Sequence, residues 1–203
     1  MSAYVPPQHG AWAFLGLPVV LGLTVATWTP VVVAVAVAWI AAYPWSYAAF
    51  GLVRAKRPQR FRAPFVLWSA VLGVAGLLVL LARPWMVWVA AAYLVLFAVN
   101  LGFARRNDER AIANDAVFVV ECAAMVVVVW ATGAGSRGWA PPSPSDVPAH
   151  AWALAIVCGL VLLGSTLHVK SLIRERRDPR YARASRVYAV ACVPASVALA
   201  VWW

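Results

Sequence analysis

Charged residues are absent from long stretches of this sequence, and that distribution limits the folds available to it. The first Lys, Arg, Asp or Glu is Arg54, and further uncharged runs cover residues 63–82, 84–104, 147–169 and 187–203. Each run is close to the roughly 20 apolar residues that a helix needs to cross a bilayer. Only 12% of the residues are charged, whereas soluble domains contain about 25%. The sequence therefore predicts an integral membrane protein.

Breaks in the apolar sequence divide the chain into seven helical spans. Residues 1–53 are too long for one span, and Trp28-Thr29-Pro30 interrupts them, because proline lacks a backbone donor and starts helices well. We expect one all-α transmembrane domain over residues 1–203, a polytopic helical bundle. The predicted spans are residues 10–28, 30–52, 63–82, 84–103, 116–133, 150–173 and 187–203.

The positive charges lie almost entirely on one side of this predicted bundle. Loops 54–62, 104–115 and 174–186 contain fourteen of the seventeen Lys and Arg residues, and a seven-span topology puts all three loops on the same side. Basic loops of membrane proteins face the cytoplasm. We therefore expect a cytoplasmic amino terminus. The net charge of +10 then marks orientation in the bilayer, and we expect no nucleic-acid partner.

Ionisable side chains inside the predicted spans are few, and charge in hydrocarbon is costly enough to suggest a function. Glu121 lies six residues beyond Asp115, roughly 9 Å below the cytoplasmic interface, and His168 has a similar depth on span 6. We interpret Glu121 and His168 as catalytic acid–base or orienting groups. The alternatives are that Glu121 is a structural partner of Lys170 or Arg174, and that His168 is a hydrogen-bonded packing residue.

Two polar segments on the cytoplasmic side have complementary chemistry. In the first, Asn-Asp pairs recur one heptad apart, and their oxygens suit Mg²⁺. In the second, Lys and Arg align at helical spacing, which suits a phosphate group. The candidate metal ligands are Asn107, Asp108, Asn114 and Asp115. The candidate substrate-binding residues are His9, Arg110, Lys170, Arg174 and Arg177.

These features predict a cytoplasm-facing pocket between spans 1, 5 and 6 that binds or transforms a polyprenyl diphosphate or a similar lipid, with Mg²⁺ as the cofactor. Three alternatives stay open. The acidic residues of loop 104–115 could simply pair with neighbouring arginines. Glu121 and His168 could relay protons in a small proton-coupled transporter. The basic loops could also dock a soluble partner of a noncatalytic membrane assembly factor.

Three segments carry a resemblance to a known family: Pro7-Gln-His-Gly-Ala-Trp12, Arg106-Asn-Asp-Glu-Arg-Ala-Ile-Ala-Asn-Asp115 and His168-Val-Lys-Ser-Leu-Ile-Arg-Glu-Arg176. They resemble the YwiC-like family of bacterial integral membrane proteins over nearly the whole chain. This resemblance implies a multi-pass protein of the bacterial inner membrane.

A more remote similarity is to the UbiA superfamily of intramembrane prenyltransferases. It rests on the Pro- and Gly-containing first span, on Asn107-Asp108 and Asn114-Asp115 beside span 5, and on the basic run after span 6. The similarity implies an all-helical enzyme that binds an isoprenoid diphosphate through Mg²⁺ at the cytoplasmic ends of its helices.

Overall fold

The computed structural model describes residues 3–105, 111–135 and 137–202, and within these ranges the chain forms seven α-helices and no β-strand. The helices are α1 (His9–Val25), α2 (Pro30–Arg54), α3 (Arg62–Ala82), α4 (Met86–Arg105), α5 (Ile112–Gly133), α6 (Ala149–Val169) and α7 (Pro179–Trp202). Short 3₁₀ turns precede α3 and α6, and a π-helical turn, Lys170–Arg174, follows α6. The predicted all-α fold is confirmed.

Most of these helices are suited to a lipid environment. In the part of the chain that the structure describes, five helices are long and apolar enough to cross a membrane, namely α2, α3, α4, α5 and α6. Helix α1 is also apolar but has only 17 residues. Five such helices confirm a multi-pass membrane protein. The count of seven spans and the cytoplasmic amino terminus stay predictions.

Proline and a preceding polar residue define where two helices begin. Thr29 Oγ1 accepts a hydrogen bond of 3.3 Å from Val32 N, which caps α2 at the predicted break. Asp178 Oδ1 similarly accepts from Arg180 N at 2.9 Å, and α7 begins at Pro179 instead of the predicted residue 187. Hydropathy detects only the part of a helix that suits hydrocarbon, so it missed the basic first turns of α7.

Helix α5 is the central helix of the bundle, because it packs against α1, α2, α4 and α6. Two glycines permit its close approach to α1. A Cβ atom at Gly133 would lie 2.7 Å from the carbonyl oxygen of Thr27, and one at Gly22 would lie 2.7 Å from Cβ of Val129. Any larger side chain at these positions would force the two helices apart.

A buried arginine joins the ends of α3 and α5. Arg83 is 7% exposed, and its Nε donates to the carbonyl oxygen of Thr132 at 3.1 Å. With the contact between Gly133 and Thr27, this places the carboxyl-terminal ends of α1, α3 and α5 together. Helices α1, α3 and α5 therefore run in the same direction through the bundle.

Candidate functional site

A buried ion pair links two of the polar segments that the sequence singles out. Lys170 Nζ lies 2.8 Å from Asp115 Oδ2, and the two side chains are 1% and 17% exposed. Asp115 is in the first turn of α5, while Lys170 begins the π-helical turn after α6. The structure thus joins a predicted metal ligand to a predicted substrate-binding residue.

The π-helical turn holds Lys170 inside the bundle. Glu175 N donates to the Lys170 carbonyl oxygen at 2.7 Å, a five-residue hydrogen bond that widens the helix. Lys170 Nζ also lies 6.0 Å from the centre of the Tyr181 ring on α7, at the limit of a cation–π contact. Buried charges require a partner, and Asp115 supplies it. The pair therefore connects α5, α6 and α7 at one end of the bundle.

The other predicted site residues that the structure describes are not part of the Asp115–Lys170 ion pair. His168 and Arg177 are exposed, and Asn114 is half-buried beside Asp115. His9 and Arg174 lie on the described backbone, at the start of α1 and in the π-helical turn, but their side chains are outside the described part. Asn107, Asp108 and Arg110 lie wholly outside the described residues.

Metal binding finds limited support in the residues that can be described. Among them, no three His, Cys, Asp or Glu side chains are grouped closely enough to hold a metal ion. Two of the four predicted ligands, Asn107 and Asp108, are not described. The Mg²⁺ site therefore stays a prediction.

Glu121 lies in a different environment from Asp115. It is the tenth of 22 residues in α5, close to the middle of the helix, and its side chain is 7% exposed. Asn100 Nδ2 on α4 donates to Glu121 Oε1 at 3.0 Å, and Tyr93 Oη donates to the Glu121 carbonyl oxygen at 2.7 Å. Its side-chain partner among the described residues is therefore on α4, whereas Lys170 and Arg174 were the partners in one alternative interpretation of the sequence.

Glu121 borders a cavity of about 380 Å³ between α2, α3, α4 and α5. Most of its lining is aliphatic or aromatic, with Trp39 and Tyr93 in edge-to-face contact at 5.4 Å. The aromatic members of the lining are Trp39, Tyr43, Trp45, Tyr93, Phe97 and Phe118. A mainly apolar cavity with few polar groups is the usual form of a small-molecule site.

Sequence reasoning missed this cavity and the role of Asn100. A carboxamide within the otherwise apolar α4 sequence was the available signal, because polar side chains inside spans seek partners in neighbouring helices. The cavity itself depends on which helices are neighbours. Linear spacing contains no such information.

The fold defines a polytopic α-helical membrane protein, and the described helices enclose a mainly apolar cavity beside Glu121. The chain belongs to the YwiC-like protein family, whose model matches residues 5–130. This confirms the resemblance seen in the sequence.

Two bacterial proteins are similar to the chain over most of its length. "Uncharacterized protein YwiC" of Bacillus subtilis (strain 168) is 30% identical over 189 residues, which are 90% of this chain and 72% of the relative. An uncharacterized protein of Haemophilus influenzae is 26% identical over 192 residues, or 95% and 76% of the two chains. No solved structure matches the chain significantly. The UbiA resemblance stays a prediction.

The buried ion pair generates a prediction about stability. We expect Asp115→Asn and Lys170→Met each to lower the free energy of unfolding by roughly 3–5 kcal/mol, because each removes one member of the ion pair and leaves the other charge inside the bundle. The double variant removes both charges and should recover most of that loss. Unfolding of the purified protein in detergent measures all three.

Arg177→Met is the matched control, since Arg177 is exposed and follows the same turn. It should change the unfolding free energy by less than about 1 kcal/mol. Strictly additive losses in the double variant would contradict a direct interaction between Asp115 and Lys170.

Proposed function

We propose that this protein binds a lipid-like amphiphile, with the hydrocarbon part of the ligand in the cavity between α2, α3, α4 and α5. The observation that carries the proposal is the cavity itself, which is mainly apolar and aromatic and has one carboxyl group, that of Glu121, among its described lining residues. Apolar walls favour a hydrocarbon ligand, and the few polar groups would fix its orientation. We further propose that the protein resides in the bacterial cytoplasmic membrane, with its basic loops in the cytoplasm.

The length of the cavity supports a lipid chain as its occupant. Its lining on α5 extends from Phe118 to Val128, which corresponds to about 15 Å along the helix axis. That is about half of the roughly 30 Å hydrocarbon core of a bilayer. One chain of a single leaflet has this reach.

An entry route from the bilayer lies between α3 and α4. These two helices make little contact with each other. Leu80 on α3 and Leu94 on α4 both line the cavity, and they are 38% and 64% exposed at the bundle surface. A lipid could therefore pass from the membrane into the cavity without crossing an aqueous phase.

The diphosphate headgroup and prenyl transfer that the sequence predicts are a narrower form of this proposal. Lys170, Arg174 and Arg177 would bind the phosphates, and Mg²⁺ would be held near Asp115. The ion pair of Lys170 with Asp115, at 2.8 Å, argues against a Lys170 side chain that is available to bind phosphate. Lipid binding in the cavity does not depend on this headgroup.

Filling the cavity tests the proposal. A Cβ atom at Gly76, which lines the cavity, would meet no atom within 4 Å, so Gly76→Leu should occupy the space without a clash. We expect the wild-type protein, released gently from membranes, to carry a lipid adduct in native mass spectrometry. We expect Gly76→Leu to reduce that adduct at least about tenfold.

Gly73→Leu is the matched control. Gly73 lies one helical turn away on α3, is exposed, and also has open space around its Cβ position. This variant adds the same side chain and should keep the adduct. Equal adducts in both variants, or none in the wild type, would contradict a lipid site in the cavity.

Proton-coupled transport is a second candidate, and the position of Glu121 favours it. A buried carboxyl group near the middle of a membrane-spanning helix is typical of proton pathways. Proteoliposomes under a pH gradient distinguish the two functions. If the protein only binds lipid, wild type and Glu121→Gln should give equal, background proton flux. A flux that Glu121→Gln abolishes would instead support transport.

A further inference from the structure

The hydrogen-bond donors that line the cavity are already used within the protein. Five lining side chains carry such donors, namely Trp39, Tyr43, Trp45, Ser46 and Tyr93. Trp39 Nε1 donates to the Leu15 carbonyl oxygen and Trp45 Nε1 donates to Ser69 Oγ, both at 3.0 Å. The Ser46 hydroxyl donates to the Tyr43 carbonyl oxygen at 2.8 Å, and the Tyr93 hydroxyl donates to the Glu121 carbonyl oxygen at 2.7 Å. The Tyr43 hydroxyl donates to Gln8 Oε1 at 2.9 Å. A ligand that only accepts hydrogen bonds would find no donor in this lining without breaking one of these bonds.

Hydrogen-bond acceptors, in contrast, remain available at Glu121. Asn100 Nδ2 occupies Oε1, and among the described residues no donor reaches Oε2. Asn100 Oδ1 is buried without a hydrogen-bond partner among the described residues, but Asn100 does not line the cavity. Glu121 Oε2 is not one of the fully buried unpartnered atoms, and Glu121 lines the cavity, so a ligand can reach this oxygen. The site therefore favours a ligand that brings a donor.

The charge of the cavity excludes an anionic headgroup beside Glu121. Its lining contains no Lys, Arg or His in the described part of the chain. The buried cations among the described residues, Lys170 and Arg83, interact with Asp115 and with backbone carbonyl oxygens respectively. A phosphate would therefore enter an apolar site next to a carboxyl group with no compensating cation, which is strongly unfavourable.

From these observations we infer that the ligand is a long-chain alcohol whose hydroxyl group donates a hydrogen bond to Glu121. This inference rests on the proposed lipid-binding function and specifies the polar group of the ligand. A hydroxyl group can donate to Oε2 of an ionised carboxylate, and it can accept a hydrogen bond from Oε2 when the carboxyl is protonated. An ammonium group would make a similar contact, but it would bring a second charge whose desolvation the contact must offset. The hydroxyl ligand avoids that cost.

Three probes with the same hydrocarbon chain test the inference. They are geranylgeraniol, which has the donor, its methyl ether, which has lost it, and geranylgeranyl diphosphate, which is anionic. Each competes with radiolabelled geranylgeraniol for the full-length protein in nanodiscs. In the wild type we expect the alcohol to bind roughly tenfold more tightly than the ether, which is the effect of one net hydrogen bond to a carboxyl group. The diphosphate should bind more weakly than the alcohol, with or without Mg²⁺.

Variants at Glu121 separate a direct contact from a structural role. Glu121→Leu should bring the alcohol-to-ether ratio close to one and leave ether binding unchanged, which shows that the cavity is intact. Glu121→Gln keeps one acceptor oxygen and should retain a ratio above that of Glu121→Leu. Because each ratio compares the same two probes, differences in their partition into the bilayer cancel between variants.

Two results would overturn the inference while leaving lipid binding in place. One is tighter binding of the diphosphate than of the alcohol, and the other is an alcohol-to-ether ratio that Glu121→Leu does not change. If none of the three probes competes in the wild type, the proposed lipid site fails and the inference fails with it. Loss of ether binding in both Glu121 variants would assign Glu121 a purely structural role and would also overturn it.

Discussion

An unpaired polar group in hydrocarbon is so unfavourable that it constrains every part of this bundle. The buried charges illustrate the rule. Lys170 is paired with Asp115 across α5 and α6, and Arg83 donates to the carbonyl oxygens of Thr132 and Ala82 at the opposite end. These contacts tie the helix ends together, while the apolar faces between them pack without directional bonds. By the same rule, a polar atom inside the bundle that lacks a protein partner is a candidate contact for a ligand.

The Glu121 carboxyl group has a hydrogen-bond partner from the described residues on only one of its two oxygens. Its Oε1 accepts from Asn100, but the cavity beside it offers Oε2 no further donor from the described residues. The same helix thus carries two carboxyl groups with different roles. Asp115, near the end of α5, is neutralised by Lys170 and links three helices. Glu121, near the middle, faces a cavity that is large enough for a lipid chain. This division separates the structural site from the proposed binding site.

The sequence predicted the helices well, because the absence of charge over about 20 residues is itself the requirement for crossing a bilayer. It placed the break at Pro30 correctly and singled out Glu121, Asp115 and Lys170, although it put Asp115 at the cytoplasmic interface and not in a buried ion pair. It did not identify Asn100 as the partner of Glu121, since helical spacing shows which residues share a face but not which helix lies opposite. The start of α7 at Pro179 was also missed, because hydropathy does not detect the polar part of a helix that extends beyond the hydrocarbon core.

Photo-cross-linking tests the central claim, that a lipid occupies the cavity with its polar group at Glu121, most directly. A geranylgeraniol analogue with a diazirine near its hydroxyl group is activated in nanodiscs, and mass spectrometry identifies the modified residues. If a lipid occupies the cavity, we expect modification at lining residues near Glu121, such as Tyr93, Phe97 and Phe118. Labelling confined to exposed residues on the outer surfaces of α3, α4 and α7 would contradict it.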